Sequence, residues 1–241
     1  MMVVRAARDI AKDEELTFSY FPPTLTYSER QKHAGDYWDG GCRCEYCSAE
    51  AATPERQIEQ REKLVEEMHS IFAAFEASTP DKELTERLYQ TITARIDAIN
   101  KTYTAIPSRQ PRVQLLPSLQ GLLYLSRDQS RLADTISSAV QILTALGFGY
   151  DAANARIEKW GLLSNYVVEA LAFLWEAYGE SEAKAELCGR AEENARLAYE
   201  ICIGERESFE EILGEYRTEV QEEDIEDVME SGTRSLVVGR G

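Results

Sequence analysis

Basic side chains are scarce in this 241-residue sequence. Twenty-six lysines and arginines stand against 43 aspartates and glutamates, so the net charge is −17. A protein that binds nucleic acid directly neutralises phosphates with clustered lysine and arginine, and the charge balance argues against DNA or RNA as a direct partner. It is compatible with a basic protein partner, such as a lysine-rich protein tail, because opposite charges attract.

Long hydrophobic runs are also missing, although 44% of the residues are hydrophobic. A membrane-spanning helix needs about 20 consecutive apolar residues, so the sequence predicts no membrane partner. The hydrophobic share is enough for one large core or two small ones.

Cysteine and histidine are rare, with five and two copies, yet three cysteines fall within six positions, at Cys42, Cys44 and Cys47. No signal-peptide pattern is recognisable before them, which favours a metal site over disulfide bonds. Such closely spaced thiolates are typical of zinc ligands. Cys188 and Cys202 lie in helical patterns and are interpreted as small, buried apolar side chains. A reducing cytoplasm or nucleus fits all five cysteines.

The three cysteines close a segment that begins at Glu14. Its first part, E-E-L-T-F-S-Y, alternates apolar and polar residues up to Tyr20, as a half-buried strand does. A second strand is predicted over residues 3–10, so the two form a small β-hairpin with a turn at residues 11–13. A short polar helix is predicted over residues 28–34, and the adjacent aromatic residues Tyr37 and Trp38 follow it.

This segment resembles the last strand and post-SET tail of SET-domain protein-lysine methyltransferases, most closely the branch that also carries a MYND finger. The resemblance covers roughly the first fifty residues, and it implies S-adenosylmethionine as methyl donor and a lysine side chain as acceptor. The family's strand tyrosine lines the methyl-transfer site, and Tyr20 matches it. The family's C-x-C-x-x-C motif matches Cys42, Cys44 and Cys47, which implies three zinc ligands. An aromatic residue before the first cysteine covers the cofactor's adenine, a role open to either Tyr37 or Trp38.

The sequence departs from the family's pattern in three places. Asp13 replaces the usual turn glycine, and Gly40 stands where an aromatic residue is common. The family's glycine-rich cofactor loop and N-H-S-C-x-P-N segment, whose cysteine is the fourth zinc ligand in this branch, are not among the 241 residues. We therefore expect a truncated catalytic domain that is inactive on its own. His33 is an alternative fourth zinc ligand.

The rest of the sequence predicts an antiparallel α-helical domain over residues 53–220, of a tetratricopeptide-like architecture, which gives a mostly α fold overall. Helices are predicted from the start at Thr53 and Pro54, then over residues 80–103, 117–125, 130–146, 162–178, 181–203 and 207–220. Gly179 is predicted to end one helix, and Ala191, Ala195 and Ala198 to form a close seam with its neighbour. Residues 1–50 form the SET remnant and residues 221–241 an acidic, disordered tail.

Two functions from different classes remain open at this point. The first is the SET-type methyltransferase. The second is a non-catalytic, zinc-stapled helical module that binds another protein through its helices. A strand tyrosine such as Tyr20 is, taken alone, more often a core residue than a site residue.

Overall fold

The computed structural model describes residues 12–13, 21, 25–76, 78, 81–107, 109–182, 184–203 and 208–209. The helices in this part are α1 (Tyr27–Gly35), α2 (Glu45–Ala51), α3 (Glu55–Glu76), α4 (Lys82–Asn100), α5 (Leu116–Asp128), α6 (Leu132–Ala145), α7 (Asn165–Glu180) and α8 (Cys188–Ile203). Short 3₁₀ turns at Val113–Leu115 and Ala185–Leu187 precede α5 and α8. Strands β1 (Gly149–Asp151) and β2 (Arg156–Lys159) form an antiparallel hairpin between α6 and α7. None of the described helices combines the length and apolarity needed to span a membrane.

Local capping explains where several helices begin and end. Thr26 and Glu29 form a reciprocal capping box at the start of α1. The Asp81 carboxylate accepts a 2.7 Å hydrogen bond from the Leu84 amide at the start of α4. At the end of α6, Gly147 adopts φ +85° and the Phe148 amide donates to the Leu143 carbonyl. This is a Schellman ending, which requires a left-handed residue and therefore favours glycine.

The helices from α3 to α8 each pack on the next one along the chain and enclose one apolar cluster. α7 and α8 form a close pair, and Ala191, Ala195 and Ala198 on α8 have no exposed surface. The mostly helical fold is therefore confirmed.

The structure corrects the predicted boundaries of α7 and α8, and it also ends α4 at Asn100 rather than residue 103 and α5 at Asp128 rather than residue 125. α7 begins at Asn165 rather than at residue 162, because the Leu162 amide donates to the carbonyl of Leu146. α7 continues through Gly179 to Glu180. A Cβ on Gly179 would lie 3.4 Å from the sulfur of Cys188, so the glycine allows close approach rather than ending the helix. α8 begins only at Cys188, after a 3₁₀ turn, and not at residue 181.

Two elements were not predicted, namely α2 and the hairpin of β1 and β2. Asp151 accepts hydrogen bonds from the Ala153 amide and the Asn154 side chain, which builds the turn of that hairpin. The hairpin predicted over residues 3–20, the side chain of Tyr20 and the tail lie outside the described residues. So does the predicted helix over residues 207–220, except at 208–209. Within the turn between the predicted strands, Asp13 has φ +64°, a conformation that glycine adopts more readily.

Candidate metal centre

The sulfur atoms of Cys42, Cys44 and Cys47 all lie within 4.8 Å of one another. Thiolates bound to one tetrahedral zinc at about 2.3 Å are about 3.8 Å apart, so a small inward adjustment brings all three to ligand distance. Cys47 is buried, Cys42 is half-buried and Cys44 is exposed. Three soft sulfur donors in this arrangement fit a zinc ion.

The backbone around the cysteines has specific requirements. Gly40 and Gly41 adopt φ +86° and +74°, which side chains disfavour. The Gln31 amide on α1 accepts from the Cys42 amide at 3.0 Å and donates to the Cys42 carbonyl at 3.1 Å. A Cβ on Gly41 would overlap the Gln31 amide oxygen. The two glycines therefore allow the chain to turn closely against α1, and α1 in turn holds Cys42.

Cys44 and Cys47 are placed by α2. Cys44 is the N-cap residue of this helix, and its sulfur accepts a hydrogen bond from the Cys47 amide at 3.4 Å. The hydrogen bond from the Cys47 thiol is the largest of several effects that lower the pKa of Cys44 to about 5. The same bond raises the pKa of Cys47. Cys44 is therefore the more easily deprotonated of the two, and a metal ion binding to both sulfurs would displace the proton of Cys47.

Arg30 places a buried positive charge beside this pair. Its guanidinium lies 4.0 Å from the ring centroid of Tyr46, the residue that precedes Cys47 on α2. Burial acts to lower the pKa of Arg30, but the neighbouring Tyr46 and Cys47 side chains offset burial, so the net pKa is raised. A fixed cation at this position favours thiolate over thiol in the adjacent cluster.

The two candidate cofactor aromatics differ in their surroundings. Tyr37 is 73% exposed, whereas Trp38 is 38% exposed. The Trp38 ring meets the ring of Phe21 edge to face, with centroids 6.2 Å apart. Phe21 directly follows Tyr20 in the sequence, so Trp38 lies near the end of the segment that contains Tyr20.

His33 is not part of the cysteine cluster in the described part of the chain. Its ring stacks on the ring of Phe21 instead, with centroids 6.1 Å apart. The alternative in which His33 supplies the fourth ligand therefore receives no support from the geometry.

A buried ion pair behind the cysteines was not predicted. Glu50 at the end of α2 binds Arg61 of α3, with oxygen–nitrogen distances of 3.0 and 2.8 Å. The side chains are 3% and 1% exposed, respectively. One signal was present in the sequence, because Arg61 lies three residues before Leu64 on the apolar stripe of α3. A charged residue on such a stripe indicates a buried partner.

Fold and site together define a mostly helical protein with a cysteine cluster able to hold zinc. The chain is 26% identical over 226 residues to a protein from Gibberella zeae named methyltransferase, an alignment covering 88% of this chain and 29% of that protein. It is 31% identical over 67 residues to the histone-lysine N-methyltransferase ASHR2 of Arabidopsis thaliana, covering 28% of this chain and 17% of that protein. No model of a known protein family matches the chain. The chain is therefore similar in sequence to methyltransferases, and it spans less than a third of the length of these two relatives.

Proposed function

We propose that this chain belongs to a SET-type protein-lysine methyltransferase that uses S-adenosylmethionine. The observation that carries the proposal is the convergence of Cys42, Cys44 and Cys47, at the position where the resemblance implies a zinc-binding post-SET tail. The two methyltransferase names among the relatives support it independently. In this proposal residues 1–50 form the end of the catalytic domain, residues 53–220 a helical domain and residues 221–241 an acidic, disordered tail.

The chain's own residues would contribute orientation and enclosure to methyl transfer. The cofactor supplies an electrophilic methyl group on a sulfonium. Tyr20 presents a neutral phenol, which orients the acceptor amine by hydrogen bonding without taking its proton at neutral pH. Trp38, whose ring is partly covered and contacts Phe21, is the better candidate to cover the adenine, and the more exposed Tyr37 is the alternative.

Zinc would have a structural role in this proposal. Cys42, Cys44 and Cys47 would hold it through three thiolates, and the ion would fix the chain that carries Trp38. Two supports hold the cysteines, because Gln31 of α1 binds Cys42, whereas Cys44 and Cys47 belong to the first turn of α2. The fourth ligand would come from outside the described residues or from solvent.

The proposed substrate is a lysine in a basic protein such as a histone. One relative is named as a histone-lysine methyltransferase. The net charge of −17 supports attraction of such a partner. The helical domain offers further surface for a protein partner.

Transfer of labelled methyl groups from S-adenosylmethionine to mixed histones tests the proposal. We expect only background transfer from the 241-residue chain by itself, because the glycine-rich loop that positions the cofactor is not in its sequence. Fusion behind a SET-type upstream segment should give transfer. Tyr20→Phe should lower that transfer roughly tenfold, the effect of losing one transition-state hydrogen bond, and Tyr27→Phe serves as the control.

Two outcomes would contradict parts of the proposal. If the fusion transfers methyl groups at the same rate after Tyr20→Phe and after Cys44→Ser, neither residue takes part in the reaction. Transfer by the 241-residue chain alone, lost in Tyr20→Phe, would show that this chain is a complete enzyme.

The non-catalytic interaction module is the second candidate. The observation favouring it is the direct anchoring of the cysteine segment to the helices through Glu50 and Arg61, which suits a rigid scaffold. Methyl transfer by the fusion that Tyr20→Phe abolishes would contradict this candidate.

A further inference from the structure

The helix α2 connects the cysteine cluster to the helical domain. Its first turn carries Cys44 and Cys47, and its last turn carries Glu50. Cys47 and Glu50 are three residues apart, so they lie on the same side of the helix, and both are buried. A seven-residue helix is too short to be stable by itself, so its position depends on what holds its two ends.

Glu50 is held by a closed set of partners. Its carboxylate accepts from Arg61 of α3 and, at 2.9 Å, from the Gln110 amide. The same Gln110 amide donates to the Thr53 hydroxyl at 2.9 Å. Gln110 is fully buried and lies 60 residues from Glu50 in the sequence.

Arg61 also contacts Thr102 and Tyr103, which follow α4. Its guanidinium donates to the Thr102 hydroxyl at 3.0 Å and to the Thr102 carbonyl at 3.2 Å. The ring centroid of Tyr103 lies 3.7 Å from the guanidinium carbon. The Glu50–Arg61 pair thus joins α2, the start of α3 and the segment after α4. Removal of either charge would leave the other buried without its partner, which is strongly unfavourable.

We propose that the Glu50–Arg61 pair couples metal binding at the cysteine cluster to the stability of the helical domain. The inference rests on the proposed zinc site. A metal ion bound to Cys44 and Cys47 fixes the first turn of α2, and this presents Glu50 to Arg61 in the geometry that the buried pair requires. The reverse also holds, because a firmly held Glu50 places Cys47 for the metal. Such coupling is reciprocal by thermodynamic necessity.

Zinc titration against a competing chelator, on the full 241-residue chain, measures the effect of the Glu50–Arg61 pair on zinc affinity. Glu50→Gln keeps the size of the side chain but removes its charge, and Arg61→Lys keeps the charge but loses the double hydrogen bond. We expect either variant to raise the zinc dissociation constant by roughly 5- to 100-fold, the usual range of coupling between sites. The matched control is Glu86→Gln on α4, whose exposed carboxylate contacts only the partly exposed Arg131 and Gln90 among described residues.

Amide hydrogen exchange measures the reverse effect, which is the effect of zinc on the stability of the helical domain. Zinc should slow amide exchange in the wild type at residues 42–51, at the start of α3 and at residues 101–110. In Glu50→Gln the slowing should be confined to residues 42–51. If Glu50→Gln does not fold, Cys44→Ser provides the reverse measurement, since the loss of one ligand should speed exchange at residues 101–110 in the presence of zinc.

Specific results would overturn the inference. Equal zinc affinity in the wild type and Glu50→Gln, with zinc protecting only residues 42–51 in the wild type, would show a metal site without coupling. Unchanged exchange at residues 101–110 in Cys44→Ser would show the same. A wild type that takes up no zinc would overturn both this inference and the proposed zinc site, so the two failures are distinguishable.

Discussion

The three clustered cysteines have different neighbours, and this makes their individual roles testable. Cys44 is exposed and caps α2, whereas Cys47 is buried beside Arg30. Cys202 provides a contrast, because its sulfur lies 3.9 Å from the Ser164 carbonyl and burial raises its pKa to about 11. Cys202 also does not belong to the group of converging cysteines among the described residues.

Metal analysis of protein purified without added metal should find about one zinc per chain or less, since three protein ligands leave one position open. Cys44→Ser should lose most of this zinc, and the control Cys202→Ser should keep it. Elemental analysis checks both. If the zinc content is far below one ion per chain, and Cys44→Ser does not change it, the cluster is not a zinc site.

Glu169 on α7 is a buried carboxyl group, and the described residues that donate hydrogen bonds to it are neutral. It accepts from the Gln120 amide at 2.6 Å and from the Tyr124 hydroxyl. Burial raises its pKa from 4.5 to about 7, although both hydrogen bonds act to lower it. The folded protein therefore keeps Glu169 protonated at a pH where the unfolded chain has ionised it.

The free energy of unfolding should fall as pH rises from about 4.5 to about 7, because the folded state binds the extra proton over this range. At about 1.4 kcal/mol per pKa unit, the loss is on the order of 3 kcal/mol. Glu169→Gln cannot ionise, so its stability relative to wild type should increase between pH 5 and pH 8. Denaturant unfolding at several pH values measures this.

Glu180→Gln is the control, since it makes the same change at an exposed position on the same helix. Its stability should follow the wild type across the pH range. If Glu169→Gln also follows the wild type in parallel, Glu169 ionises normally in the folded protein.

At the scale of single residues, the sequence identified side chains whose partners lie nearby along the chain. The cysteines at 42, 44 and 47 could be predicted as a cluster because six positions cannot separate them far. Glu50 and Arg61, or Gln120 and Glu169, lie on different helices, and no local spacing predicts that they meet. Arg61 was still detectable as a charge on an apolar stripe.

At the scale of elements, the connection from β2 to α7 is tightly constrained at Gly161. A Cβ on Gly161 would lie 2.3 Å from the Leu146 carbonyl oxygen and 2.7 Å from the Phe148 nitrogen. These are backbone atoms at the end of α6, so they cannot move aside like the tip of a side chain. The glycine thus allows the strand pair to return directly onto α6.

Gly161→Ala should lower the free energy of unfolding by about 1–3 kcal/mol, because the new methyl group forces the backbone apart. Gly189→Ala is the matched control. It lies in α8 with no atom within 4 Å of its added Cβ, and it should be neutral or stabilising by up to about 1 kcal/mol. Thermal unfolding checks both, and equal effects of the two substitutions would show that the α6 contact is not tight.

Helix existence was predictable, because apolar residues at a period of 3.6 identify long amphipathic helices. The buried stripe Leu88, Ile92, Ile96 and Ile99 of α4 shows this. Boundaries depended on contacts the sequence does not display, such as the close approach of Cys188 to Gly179. The hairpin of β1 and β2 is only three and four residues long, too short for its alternation to be distinguished from a loop.

At the scale of the whole molecule, the acidic charge and the helical array describe what the chain presents to a partner. The net charge of −17 makes the chain as a whole acidic, which disfavours the approach of acidic molecules and favours that of basic ones. The described helices pack in chain order, which gives a continuous core from Leu64 onward. The alignment with the Gibberella zeae protein covers 88% of this chain, so the similarity extends over cysteine segment and helices together.

The separation of Glu50 from its partner Gln110 in the sequence has a consequence for folding during biosynthesis. Helices α5 to α8 each contact their neighbour, so each can pack soon after it is made, whereas Glu50 must wait for Gln110, 60 residues later. At about 5–20 residues per second, the ribosome needs roughly 3–12 seconds to make that interval. During this time Arg61 is already part of the chain, whereas Gln110, the second partner of the Glu50 carboxylate, is not. Chain elongation therefore sets how long the Glu50 carboxylate remains without its complete set of described partners.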